Sequence, residues 1–229
     1  MKRMIPSFAG ILLLMALAPM LFAAEPAFTE DFAIDKADLS STGRNPFFIL
    51  EPGYQLYFKS ADGDLTITVL NDTKIVDGVE TRIVEERETE GGKLIEVSRN
   101  YFAMSKRTNG VFYFGEDVDM YDKSGKISGH GGSWNAGVDG ARAGLAIPSL
   151  PLLGARYYQE VAPKLAMDRA EIVSISDKRK VAAGDFEQVL KTEETTPLEP
   201  GVKEYKYYAP GVGLIKDGDM ELVRYGKAP

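Results

Sequence analysis

A ladder of turn dipeptides limits what this 229-residue chain can become. Asp62-Gly63, Asp77-Gly78, Gly91-Gly92, Asn109-Gly110, Ser124-Gly125 and Asp217-Gly218 punctuate short runs in which apolar residues recur two apart. Asp-Gly and Asn-Gly favour the tight hairpin whose two central residues both take positive φ. Between the turns, Tyr54, Leu56 and Phe58 alternate with Gln55 and Lys59, and Leu65, Ile67 and Val69 with Asp64, Thr66 and Thr68. That period of two marks strands with one inward face. Further strands are expected from Val79 to about Glu88, from Leu94 through Tyr101, and in the runs 156–161, 170–176, 187–193, 204–208 and 220–225. Turn signals every roughly 8–12 residues belong to a sandwich or barrel, and no long helical period competes. The expected fold is all-β: a single strongly curved antiparallel meander, half-barrel or barrel-like.

The run from Arg99 to Trp134 departs from simple alternation. Tyr101 and Phe102, then Val111 to Phe114, place large apolar side chains at consecutive positions, so both faces of these strands need cover. Beyond them, 129–154 is rich in glycine and proline and carries Leu145, Ile147, Leu150, Leu152 and Leu153. It is expected as a loop packing over the sheet, since long ordered loops are often functional or a cover. Asn45-Pro46-Phe47-Phe48 through Pro52-Gly53 opens the folded part, with prolines that suit an edge.

The N-terminus reads as an export signal. Lys2 and Arg3 precede an apolar run from Ile11 to Phe22 that ends at Ala23-Ala24. The run falls short of the ~20 residues of a membrane span, so removal is expected, leaving no transmembrane anchor. The organisation is then a signal peptide over 1–24, a flexible leader over 25–44 and a β-domain over 45–226, in the periplasm or secreted. With no cysteine, disulfides and thiolate chemistry are excluded. A net charge of −7 with scattered basic residues argues against nucleic acid.

Chemistry-bearing residues are sparse. Asp117, Asp119 and Asp122, with Glu116, are weak candidates for a hard cation such as calcium. On a strand Asp117 and Asp119 share one face and Glu116 the other, so a solvated rim is the simpler reading. His130 is the single histidine, with no serine elbow around it. No phosphate loop is present, because Gly125-Lys126 is followed by Ile127. No cofactor is expected.

Several stretches together resemble a widespread family of exported bacterial proteins. They are Asn45-Pro46-Phe47-Phe48 with Pro52-Gly53, Phe112-Tyr113-Phe114-Gly115-Glu116-Asp117, Gly132-Ser133-Trp134 with Ala136-Gly137, and Tyr207-Tyr208-Ala209-Pro210-Gly211-Val212-Gly213. The resemblance implies export and no particular reaction. The last of these stretches is also similar to one in curved antiparallel-sheet envelope proteins, including relatives of periplasmic lipoprotein carriers, which implies a half-barrel by analogy of fold. The leading expectation is a non-enzymatic binding or carrier module for an apolar small molecule or lipid, lined by Phe112, Phe114, Trp134, Leu145 and Tyr157. The alternatives are a subunit that binds another envelope protein, and a hydrolase using the acidic cluster near His130.

Overall fold

A computed structural model describes residues 27–228; the signal peptide expected over 1–24 lies outside them. A 3-10 turn (Lys36–Asp38) leads into β1 (Leu39–Ser40), β2 (Gly43–Asn45), β3 (Phe48–Leu50), β4 (Tyr54–Lys59), β5 (Gly63–Val76), β6 (Val79–Glu90), β7 (Lys93–Ser105) and β8 (Val111–Tyr121). After them come β9 (Ile127–Gly129), β10 (Trp134–Asn135), β11 (Arg142–Ile147), β12 (Arg156–Tyr158), β13 (Glu160–Val161) and β14 (Arg169–Val181). The last are β15 (Gly184–Thr195), β16 (Glu204–Ala209), β17 (Gly213–Asp217) and β18 (Met220–Lys227). All but β2 and β3 belong to one 16-stranded sheet that is nearly closed into a barrel. Among the described residues no helix is long and apolar enough to cross a membrane.

Local chemistry sets the hairpins. Asp77 and Gly78 take φ of 49° and 75° between Val76 and its partner Val79, the geometry that the Asp-Gly dipeptide favours. Two meanders result, β4 to β8 and β14 to β18, and they join where β18 pairs with β4 from Glu221↔Lys59 to Lys227↔Tyr54. Pairing first strand with last removes an open edge, which would otherwise be a site for aggregation.

The other junction is made by a short run of chain. β12 pairs with β14 and β13 with β11, and only Gln159 separates β12 from β13. Residues 156–161 thus stitch the two sides of the sheet together. Gln159 and Glu160 both donate backbone N–H groups to Asp168 O, at 2.8 and 3.2 Å. Gly144 on β11 lies directly beneath, and a Cβ there would sit 2.3 Å from Gln159 O. Only glycine allows the strands to approach this closely.

Core residues such as Leu50, Phe58, Phe114, Ile172, Leu190, Ile215 and Leu222 are almost fully buried. β2 and β3 form a separate hairpin whose tip, Asn45 to Phe48, plugs one end of the barrel. Asn45 Nδ2 donates to Asn109 O at 2.8 Å, its Oδ1 accepts from Phe47 N at 2.7 Å, and Gly211 N donates to Pro46 O at 2.7 Å. The plug is therefore tied to the turns that follow β7 and β16.

The flexible leader expected over 25–44 differs from the observed chain, whose described part is an ordered strap. Thr29 exchanges backbone hydrogen bonds with Arg156 and Tyr158, β1 pairs with β7, and Ser105 Oγ donates to Asp38 at 2.5 Å. Phe32 packs edge-on against Phe112 at 6.1 Å. Its apolar residues were too few to show a period, but they bury against an already formed wall. The Gly- and Pro-rich segment is itself built into that wall: β9, β10 and β11 all pair with β8. Leu150, Leu152 and Leu153, just past β11, are exposed.

Candidate functional site

The barrel lumen holds a cavity of about 290 Å3, at the low edge of the roughly 300–1,000 Å3 of small-molecule sites. Its plugged end is apolar, walled by Phe47, Phe48, Leu56, Phe102, Val212 and Leu214. Toward the opposite end stand seven carboxylates, Glu86, Glu96, Glu116, Glu160, Asp168, Glu194 and Asp217, with one ammonium, Lys206.

Strand periodicity builds this gradient. On β7 the lumen-lining residues are Glu96, Ser98, Asn100 and Phe102, so one strand runs from acid to aromatic in steps of two. On β6, Val84 and Glu86 line the cavity in the same way. On β8 both Tyr113 and Glu116 line it, three residues apart, because the β7–β8 register shifts between them. The extra residue sits beside Gly115, at φ 133°, where a Cβ would meet Trp134 O at 2.3 Å. Such a bulge re-aims the side chains that follow it.

The electrostatics are lopsided. Lys206 Nζ lies 3.3 Å from Glu194 and 3.4 Å from Asp217. The nearby Glu194 charge, with Asp217, holds its pKa well above the ordinary lysine value against the cost of burial. Glu194 also accepts from Thr192 Oγ1 at 3.1 Å and Gln159 Nε2 at 3.2 Å. Two of the seven carboxylates are thus satisfied. Among the described residues, Glu86, Glu96, Glu116, Glu160 and Asp168 have no ion-pair partner within 4.0 Å.

Enclosure shifts these groups upward. Glu86 is pushed up to about 7 by desolvation, with Asp217 and Glu96 adding repulsion and Lys206 opposing. Glu116 is likewise raised to about 7 by desolvation and by Glu86. Glu160 lies well above the carboxylate range through desolvation and the charges of Asp168 and Glu116. Its Oε2 is buried with no hydrogen-bond partner, and the buried Nε1 of Trp134 has none either.

The sequence-predicted residues fall outside this lumen. Phe112 and Leu145 face each other across β8 and β11, and Phe112 is partly covered by Phe32. Phe114 is buried in the core, and Tyr157 is buried with its hydroxyl unpartnered. Trp134 lines a second, smaller cavity of about 190 Å3. None of the five is among the lumen-lining residues. The physical reason is that the chain covers its own aromatic wall: strap and β10–β11 supply the second layer that these strands require.

The acidic cluster also divides. Glu116 lines the lumen, while Asp117 receives Tyr101 Oη at 2.5 Å and Lys74 Nζ at 2.9 Å. Burial opposes the charge on Asp117, but the hydrogen bonds from Tyr101 and Lys74 outweigh it and hold its pKa below the ordinary value. Asp119 pairs with Arg99 at 2.9 Å, and Asp122 caps its own turn by accepting from Ser124 and Lys126. His130, with its side chain 65% exposed, places Nδ1 2.8 Å from Val118 O and 3.0 Å from Asp119 Oδ1. Each carboxylate has gone to a different partner. Among the described residues no group of three or more His, Cys, Asp or Glu side chains is placed to hold a metal ion.

Sequence reasoning missed six of the seven lumen carboxylates. The signal was available in β6, where Glu85, Glu86, Arg87 and Glu88 put charge on both faces of a strand. A barrel strand with no apolar face at that level must border a polar interior.

This geometry defines an antiparallel β-barrel with a plugged apolar floor and an acidic upper lumen. Compared with known proteins, the chain matches no family model, no curated protein and no solved structure.

Proposed function

We propose that the chain is an exported binding or carrier module of the bacterial envelope that takes a small molecule with an apolar part into the barrel lumen. The observation that carries this reading is the cavity itself, closed by the Asn45–Phe48 plug and graded from aromatic to acidic. The export half rests on Lys2, Arg3 and the apolar run that follows them. A folded chain rarely leaves an internal space of this size, because interiors pack like organic crystals. The hydrolase alternative has the His130–Asp119 contact at 3.0 Å behind it, but neither residue lines the lumen.

The test is to fill the cavity. Val84, 2% exposed and lining the lumen, is replaced by Phe, and binding of the neutral fluorescent probe N-phenyl-1-naphthylamine is measured beside native mass spectrometry of protein from its own envelope. The wild-type chain is expected to bind the probe and to carry a small molecule, and Val84→Phe to lose at least tenfold in probe affinity while keeping its far-UV circular dichroism. Equal probe binding by both chains, or no bound molecule and no probe binding in the wild type, overturns the reading.

A further inference from the structure

We propose that the ligand of this lumen is an organic cation, an ammonium carrying a short apolar body, with Glu160 as the carboxylate that meets the positive charge. The inference rests on the lumen being a binding site and names the chemistry of its occupant.

Three independent features converge. Glu160 lines the cavity, and its Oε2 is buried beside the Trp134 indole without a well-formed hydrogen bond; a buried acceptor left in that state is destabilising, more so when charged. An incoming N–H group or cationic centre supplies what is missing. The charge count points the same way: Lys206 offsets Glu194 and Asp217, and five further carboxylates line the same chamber. An anionic ligand would meet them all. Finally, Phe48, Phe102 and Tyr113 form an aromatic row, with ring centroids 5.0 Å apart for the first pair and 4.6 Å for the second. Trp134 backs the row from outside the lumen, edge-on to Tyr113 at 5.5 Å. Aromatic faces attract cations as well as apolar groups, so the row suits both parts of such a ligand.

A bare metal ion fits less well. Calcium needs six to eight oxygens at 2.3–2.6 Å, whereas among the described residues no three acidic side chains gather for a metal. Carboxylates spread around a chamber match a charge distributed over a molecule. The raised pKa values of Glu86, Glu116 and Glu160 accord with this arrangement: burial is the larger cause, and neighbouring carboxylates add to it.

The experiment compares octylammonium, octanol and octanoate, which share one tail, by isothermal titration on the full mature chain near pH 8. Octylammonium is expected to bind at least tenfold more tightly than octanoate, with octanol between them. Glu160→Gln is expected to weaken octylammonium about tenfold or more while leaving octanol within about twofold. Should Glu160→Gln fail to fold, Glu86→Gln and Glu116→Gln serve instead, with a smaller loss for octylammonium alone. If octanol binds and the charge makes no difference, or if the substitutions weaken all three alike, the cation assignment is overturned while the carrier reading stands. If none of the three binds, both are overturned.

Discussion

Glu86 and Glu116 give the lumen a measurable pH signature. A carboxyl whose pKa is raised in the folded state holds its proton more tightly when folded. Its contribution to stability is therefore complete below the unfolded value of about 4.5 and is lost as pH rises through about 7. Asp117, Asp122, Glu187 and Glu193 are shifted downward, and their contribution is already fully present above the ordinary carboxylate range. Between about pH 5 and about pH 8 the raised lumen acids set the slope among these groups. The thermal midpoint of the ligand-free protein is expected to fall across that window by several degrees, on the order of 1–2 kcal/mol for each of the two groups after discounting for screening. In Glu86→Gln/Glu116→Gln the fall should shrink, leaving the share that Glu160 and the other raised acids contribute. A midpoint that rises with pH in the wild type contradicts the assignment.

At the scale of elements, the plug hairpin stands on one side chain. Asn45 is 1% exposed and uses its amide at both ends, donating to Asn109 O and accepting from Phe47 N. Asn45→Ala strands the buried N–H of Phe47, at about 1–3 kcal/mol if left unmet, and loses the hydrogen bond to the carbonyl of the exposed Asn109, at about 0.5–1.5 kcal/mol. We expect urea unfolding to lose about 2–4 kcal/mol, with hydrogen exchange rising first in β2 and β3; a loss under 0.5 kcal/mol would mean that the plug is held by its aromatic side chains alone.

What could be read in advance follows the range of the interaction. Hairpins at Asp77-Gly78 and Gly91-Gly92 depend on adjacent residues, so the dipeptides announce them. The split of Glu116 from Asp117 follows from strand alternation and was legible too, though not its consequence, that Glu116 would enter a lumen. Arg156 to Val161 shows nothing locally of its change of partner at Gln159, because that depends on β11 and β14 arriving from either side. Phe112 and Leu145 looked like ligand surface for the same reason: their cover comes from Phe32, eighty residues upstream of Phe112 in the numbering.

For the whole molecule, closure is uneven. The β18–β4 junction has six paired positions, and β13 joins β11 through two, Arg142↔Val161 and Ala143↔Glu160. Gly144→Ala would drive a methyl group into Gln159 O beside this thin junction, and overpacking of that kind costs about 1–3 kcal/mol. The loss should appear as faster hydrogen exchange across β11 to β13 with β5 and β6 unaffected; uniform acceleration over the barrel would instead show that the molecule opens as one unit.

Glu160 belongs both to that two-residue joint and to the acidic chamber. Like charges facing one another across the chamber press outward on the place where the wall is thinnest. A positively charged guest would convert this pressure into attraction, acting as a rivet: loading the barrel and fastening it become one event, and the grip on the guest should loosen wherever the joint is sprung.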